Sequence, residues 1–390
     1  MKTNRDAWSV NYSPTKVKRN IERIEAAYAE DKKRLESDSE SELNTDPTQM
    51  NWHYSLMNDV RSGKNLRIEL DGFRSTIYRP FSKQTVYMDS MLGTPGLLRH
   101  VFPTAHHANI GFYVVGAGSD KPFSVLMTDS LPDLALWGSS SGQFFPRWSY
   151  EKSDATDGGF DFADITEVDE YGYRRVDNIT DEILASYREA VGPQVSKDDI
   201  FYYVYGQLHD PYYRISYAAD LKKMLPHIPT PETQDRFETV TRVGRWLAEL
   251  HIRYEKVEPY PVKVELKKGA PADDRETWRV SKMKWGRIRD DETGKLVNDP
   301  TTIIYNSKVT ITGIPPEADD YMLGSRSALG WVIDRWQVKT DKPSGIVNDP
   351  NDWCDEVGDP KYIVDLIARV TTVATETNKL VASLTAEDSQ

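Results

Sequence analysis

The chain has 390 residues, a formal net charge of −12, 22 prolines, 21 tyrosines and 10 tryptophans. That composition excludes a disordered polypeptide and leaves room for two or three subdomains around a sizeable core. A single cysteine, Cys354, excludes a disulfide framework and points to a reducing compartment. No apolar run approaches the ~20 residues that span a bilayer, and the N-terminus is polar, so no membrane contact is expected and the predicted location is cytoplasmic.

The negative total argues against nucleic acid until it is divided along the chain. Residues 1–35 carry 9 basic and 5 acidic groups and residues 61–150 carry 9 and 6, whereas 151–200 carry 5 and 14 and 301–390 carry 8 and 14. The front of the chain is therefore mildly positive. A DNA-binding surface needs a local positive face and not a positive total, so the balance permits DNA binding without requiring it.

In chain order, Val17, Ile21, Ile24 and Tyr28 keep a helical period and predict a helix from about Pro14 to Leu35. The acidic, serine-rich stretch 36–48 reads as a loop. From 65 to 150 the texture changes to short β-like runs (LRIEL, STIYRPF, QTVYMD, NIGFYVVG, FSVLMT) separated by Gly, Pro and Asp, the signature of a sheet with functional loops. Pro80 predicts that its strand ends there or lies on an edge. Trp137–Trp148 suits a surface that fits around a ligand and suits an ordinary hairpin better. Residues 151–197 are acidic, with DATDGGFDFAD expected to be exposed.

Ser196 and Asp199 form a capping-box pattern that opens a helix with Ile200, Tyr203, Val204 and Leu208 on its apolar side. Asp210 and Pro211 open a second helix with Tyr213, Tyr217, Leu221 and Leu225 inward. A long helix from about Glu232 to Glu255 has an apolar stripe of Phe237, Val240, Val243, Leu247, Leu250 and Tyr254. Strands return over 260–312. Two helices follow, from about Glu317 to Trp336 (Met322, Leu329, Val332, Ile333 and Trp336 inward) and from about Pro360 to Leu384. The fold class is α+β: a sheet-rich body with long helices in the middle and at the C-terminus. The expected division is a helical linker segment over 1–60, a sheet-rich part over 61–197 and a helical and β scaffold over 198–390.

Enzyme motifs are absent or broken. Asp210-Pro211-Tyr212-Tyr213 lacks the second proline of the motif with which amino-methyltransferases hold a flipped base, and helix capping accounts for it. Glu265-Leu266-Lys267 is half of a metal-dependent nuclease pattern with no acidic partner in view. Gly116-Ala117-Gly118 lacks the rest of a dinucleotide loop, and no phosphate-binding loop of the G-x-x-x-x-G-K-[ST] type occurs. His106-His107 lacks partners at zinc spacing. A binding module remains. Arg74, Arg79, Lys83, Arg99, His106, His107, Asn109, Gln143 and Arg147, interleaved with aromatics, are residue types that contact phosphates and read base edges. A structural role for Arg79, bridging an Asp in the core, has equal standing.

Several strings, taken together, resemble the C-terminal target-recognition region of the type ISP single-polypeptide restriction-modification enzymes: TNRDAW at 3–8, YRPF at 78–81, DDIFYYVYGQLHDPYYRISYAADLKKMLPHIP at 198–229, RVGRWLAELHIRYE at 242–255, TIIYN at 302–306, ITGIP at 311–315, LGSRSALGWVIDRWQVKTDKPSGIVNDPNDW at 323–353 and GDPKYIVDLIARV at 358–370. They span most of the chain. The stretch from Leu92 to Lys197 matches poorly, the expected place for sequence choice to vary. The resemblance implies sequence-specific recognition of double-stranded DNA, which would position an adenine-N6 methyltransferase and a helicase-nuclease on a short asymmetric site. Those parts would be partners in cis or in trans, the chain being a fragment or a separate subunit. No catalytic residue is carried over. No cofactor is expected in this chain, and S-adenosylmethionine, ATP and magnesium belong to the missing domains. The alternative is a protein-interaction subunit with no DNA readout of its own.

Overall fold

The computed structural model describes residues 3, 5–93, 96–139, 141–153 and 168–386. The DATDGGFDFAD stretch lies outside them. Helix Pro14–Ser37 begins where the Ser13 side chain accepts a hydrogen bond from the Lys16 N–H and Pro14 takes a position whose N–H would be unpaired. It buries Val17, Ile21, Ile24 and Tyr28, as the periodicity predicts, against Trp8, Leu56, Val60 and Tyr87.

Two small sheets carry the front half. One runs Val10–Asn11, Ser82–Tyr87, Phe73–Arg79, Leu131–Pro132, antiparallel except at its last pair. The other places Gly111–Val115 between Val125–Thr128 and Gly142–Pro146, all antiparallel. Alternation along Gly111–Val115 divides the core: Phe112 and Val114 join one hydrophobic cluster, Tyr113 and Val115 another. A separate pair, Trp148–Lys152 with Tyr173–Asp177, follows. In the back half, Lys263–Leu266, Val309–Thr312, Leu296–Ile304 and Lys284–Arg289 form a four-stranded antiparallel sheet.

The tyrosine-rich corner is built by close approach of two helices. Lys197–Gln207 opens with the capping box that Ser196 and Asp199 predict. It lies against Gln234–Ile252, where a Cβ on Gly244 would stand 2.0 Å from the Tyr202 carbonyl oxygen and one on Gly206 2.3 Å from that of Val240. No residue larger than glycine fits at either place without separating the helices.

Helix Tyr362–Ala386 closes the structure and supplies Ile363, Leu366, Ile367, Val370 and Val373 to the largest cluster. That cluster also contains Tyr12, Ile77, Phe81, Trp137, Ile311 and Trp331, so packing crosses the expected boundaries at 60 and 197. Among the described residues no helix is long and apolar enough to cross a membrane.

Five local expectations are corrected. LRIEL forms no strand, and its last residue opens a 3₁₀ turn over Leu70–Gly72. Trp137–Trp148 is not a hairpin, because Gly142–Pro146 pairs with Gly111–Val115 and the strand after it pairs elsewhere. Tyr217 is exposed because a short helix ends at Ser216 and a new one starts at Ala218. The span expected as one helix over 317–336 is a 3₁₀ turn (Pro316–Asp319), a tight pair of two-residue strands turning at Gly324 with φ +65°, and helix Ala328–Arg335. Met322 consequently faces solvent. Helices Tyr54–Arg61, Asp181–Val191 and Pro350–Glu356 were not expected.

Candidate nucleic-acid interface

YRPF makes the turn of the hairpin Phe73–Arg79/Ser82–Tyr87, and the strand stops where Pro80 says it must. Phe81 takes a left-handed φ of 55°, rare for a bulky side chain. Three contacts hold it there: its ring meets Tyr254 edge-on at 5.2 Å and Tyr321 at 6.5 Å, and its carbonyl accepts the Trp336 indole N–H at 2.9 Å. The block is an anchor between the two halves.

The nine candidate residues separate by what they already touch. Arg79 is buried and pairs with Asp133 at 2.7 Å, the structural role held open for it. Asn109 is saturated: its amide donates to the Val101 and Trp148 carbonyls at 2.9 and 2.8 Å, and its oxygen accepts from the Ile110 and Trp148 N–H groups. Arg147 is buried with its fork on Asp177 (2.6 Å) and Asp198 (2.7 Å) and its plane over Trp148. His107 is buried between Thr104 and Asp169. The bonds found for Asn109, Arg147 and His107 engage the polar atoms by which each would meet a ligand, and Arg79 is engaged through its Nη1.

Arg74 and Lys83 are intermediate. Arg74 donates to the Phe102 and Pro103 carbonyls and pairs with Asp71. Lys83 lies between Asp129 at 3.3 Å and Glu255 at 3.6 Å. Arg99, His106 and Gln143 are exposed. His106 stacks flat on Tyr171 with ring centroids 4.7 Å apart.

Arg74 and Arg99 share a groove of about 490 Å³ with Arg67, an exposed residue that the strand reading of LRIEL concealed. Glu69, Asp71 and Asp89 line the same groove, so three guanidiniums face three carboxylates and its formal charge balances. A shallower cavity of about 360 Å³ continues past Arg74 to Ser75, Thr104 and His107. These walls offer donors and acceptors but little net attraction for phosphate.

The other motifs resolve structurally. Asp210 caps its helix through the Tyr212 N–H at 2.8 Å and pairs with Arg236 at 2.6 Å. Glu265 accepts a cross-strand hydrogen bond from Thr312 at 3.0 Å. Among the described residues no group of three or more His, Cys, Asp and Glu could hold a metal ion.

A buried polar cluster lies beneath the tyrosine-rich corner. His251 meets the Tyr205 hydroxyl at 2.5 Å and, on its other nitrogen, Thr377 at 3.0 Å and Tyr321 at 3.1 Å. His209 touches the Tyr205 carbonyl at 2.9 Å and has its Nε2 unpaired. Burial, reinforced by Arg214, drives both imidazoles well below their ordinary values, His251 to about 3.

Solved structures similar to this chain include two Type ISP enzymes and a third protein, each in complex with DNA or a DNA mimic. An ATP-dependent Type ISP restriction-modification enzyme, LlaBIII, bound to DNA matches at TM-score 0.78 and 30% identity, over 98% of this chain and 22% of its own. A nuclease-deletion mutant of the Type ISP restriction-modification enzyme LlaGI, in complex with a DNA substrate mimic, matches at 0.77 and 31%, over 98% and 32%. A DrdV–DNA complex matches at 0.78 and 28%, over 98% and 35%. The chain thus spans about a fifth to a third of the length of these proteins. No curated protein matches. The profile of the Type ISP C-terminal specificity domain aligns with residues 1–366, and the chain belongs to that family.

Proposed function

We propose that the chain is a DNA target-recognition module that positions the other parts of a Type ISP-like restriction-modification system on a double-stranded site. The observation that carries this reading is the specificity-domain match along residues 1–366, joined to relatives seen on DNA or a DNA mimic at full-length overlap with this chain. An adenine-N6 methyltransferase and a helicase-nuclease, in cis or in trans, would supply the chemistry together with S-adenosylmethionine, ATP and magnesium, and the chain itself would not be an enzyme. Division of labour follows exposure. Arg99, His106 and Gln143 are the proposed contacts to DNA, because their polar atoms are accessible. Arg74, Arg79, His107, Asn109 and Arg147 hold the loops that carry them, and Lys83 ties the hairpin to the scaffold.

The test is selection from random duplexes by the chain alone and with a methyltransferase partner of the family. Enrichment of one motif supports the reading, and no enrichment in either arm overturns it. A second role is favoured by one observation: Tyr212, Ile215, Tyr217 and Met224 form an exposed apolar corner at 211–224. The same helical half would dock the methyltransferase there, and Ile215→Asp should weaken that association without altering the enriched motif.

A further inference from the structure

The neutral groove around Arg74 leaves open where the attraction for a polyanion resides. An excess of positive charge lies in the back half, which reads from sequence as scaffold in an acidic region. Helix Ala328–Arg335 buries Trp331, whose indole N–H donates to the Leu323 carbonyl at 2.7 Å. Two guanidiniums flank that ring, Arg326 at 5.0 Å and Arg335 at 5.5 Å from its centroid. Asp334 is their one shared counter-ion, 3.9 Å from Arg326 and 2.8 Å from Arg335. Beyond the helix the Val338 N–H donates to the Ser281 carbonyl at 3.1 Å, which ties the backbone before Lys339 to the backbone before Lys282.

Lys282, Lys284 and Arg326 line one groove of about 530 Å³, with Asn298, Ser325 and Gln337 as further polar groups. Its two carboxylates are engaged, Asp334 as above and Asp319 by the Ser327 hydroxyl. Lys282, Lys284 and Lys339 are exposed and, among the described residues, have no carboxylate within salt-bridge distance. Three cations thus line the groove against two engaged carboxylates, and Arg335 and Lys339 extend the positive charge from Arg326 along its rim. A local excess of like charge in a groove raises the concentration of anions at that face. The Lys339 ammonium lies below its ordinary value through desolvation first and then Arg335, with Arg326 and Arg79 adding and Asp334 opposing.

We propose that Lys282, Lys284, Arg326, Arg335 and Lys339 form a second contact surface, which grips the phosphate backbone of duplex DNA. The inference rests on the DNA-recognition reading and deepens it. Arginine forks suit phosphate oxygens, and the three lysines act as point charges along the strand. Attraction would then come from this face and base selection from the loops of the front half, a separation of backbone positioning from readout that protein–DNA interfaces commonly show.

The test uses the 390-residue chain and a short fluorescent duplex of arbitrary sequence, titrated across potassium chloride concentrations. Lys282→Gln/Lys284→Gln/Lys339→Gln should bind at least tenfold more weakly at low salt, and the slope of log K against log salt should fall by about 2 to 3 in magnitude. Motif enrichment from random duplexes should be unchanged. A control, Lys222→Gln/Lys223→Gln/Lys256→Gln, removes the same charge from other exposed sites and should leave the slope near wild type. A wild-type slope in the first variant, or an equal fall in the control, overturns this surface and leaves the recognition reading standing. Failure of the wild-type chain to bind any duplex at low salt overturns this surface, whereas the recognition reading falls only if the chain with its methyltransferase partner also enriches no motif. Lys282→Glu alone provides a milder change should the triple variant lose its far-ultraviolet circular dichroism.

Discussion

The Arg79 guanidinium lies 2.7 Å from the Asp133 carboxylate inside the fold, and that pair ties the YRPF turn to the strand Leu131–Pro132. Desolvation pushes the Asp133 carboxyl above its ordinary range even though Arg79 opposes the shift. The pair is thus a costly arrangement whose halves depend on each other. Arg79→Ala should destabilise the chain by about 3 to 5 kcal/mol, because it leaves a buried carboxylate unpaired, whereas Arg79→Met with Asp133→Leu should recover most of that. Denaturant unfolding of the three variants measures it. Loss of DNA affinity with unchanged stability in Arg79→Ala would instead assign Arg79 to the ligand.

Gly244 admits no side chain. Its Cβ would stand 2.0 Å from a backbone oxygen that cannot rotate away. Gly244→Ala should therefore cost at least 1 to 3 kcal/mol, an overpacking penalty that outweighs the ~1 kcal/mol by which alanine ordinarily favours a helix over glycine. A raised melting temperature would refute the tight contact.

His209 and His251 make stability depend on pH. Both are buried and held neutral, with folded values depressed, while the unfolded chain protonates them near 6.5. Below that pH the unfolded state binds more protons, so stability falls as the pH drops. From pH 6.5 to pH 5 the loss should be about 1.5 kcal/mol per histidine. Unfolding free energies across that window should show an uptake approaching two protons, and a flat profile would mean that the cluster opens to solvent.

Among the front-half candidates, exposure and saturation predict opposite phenotypes. Arg99→Ala should weaken binding across all sequences and reduce the salt slope by about 1. Gln143→Ala should shift which site is preferred. Asn109→Ala strips both amide donors from the Val101 and Trp148 carbonyls and should destabilise the fold by about 1 to 3 kcal/mol before it alters preference. Paired measurements of melting temperature and motif enrichment distinguish the three.

The long helices were legible because a three-or-four spacing of apolar residues leaves little choice. Pro14–Ser37, Gln234–Ile252 and Tyr362–Ala386 fall within a few residues of where the pattern places them. The capping box at Ser196 and the strand end at Pro80 were legible for the same reason, since each is a local hydrogen-bonding or ring-geometry constraint. The span 317–336 misled because its apolar residues mimic a helical period while Gly324 takes a positive φ and reverses the chain. LRIEL misled because alternation alone does not provide a partner strand.

The candidate interface divided along another line. Periodicity in the sequence determined an α+β chain, long strings resembling the Type ISP specificity domain pointed to its family, and residue types placed basic and amide side chains in its front half. They did not determine which of those side chains are free. Asn109, Arg147 and Arg79 have the chemistry of DNA contacts, and partners distant in sequence consume it: Trp148, Asp177 and Asp133. Lys282, Lys284 and Lys339 sit in stretches that read as ordinary strand and acidic tail, and folding gathers them beside Arg326 and Arg335. Local periodicity and capping act over a few residues and are written in order along the chain. Saturation of a polar group and convergence of charge depend on residues tens to hundreds of positions apart, and only the packed tertiary structure decides them.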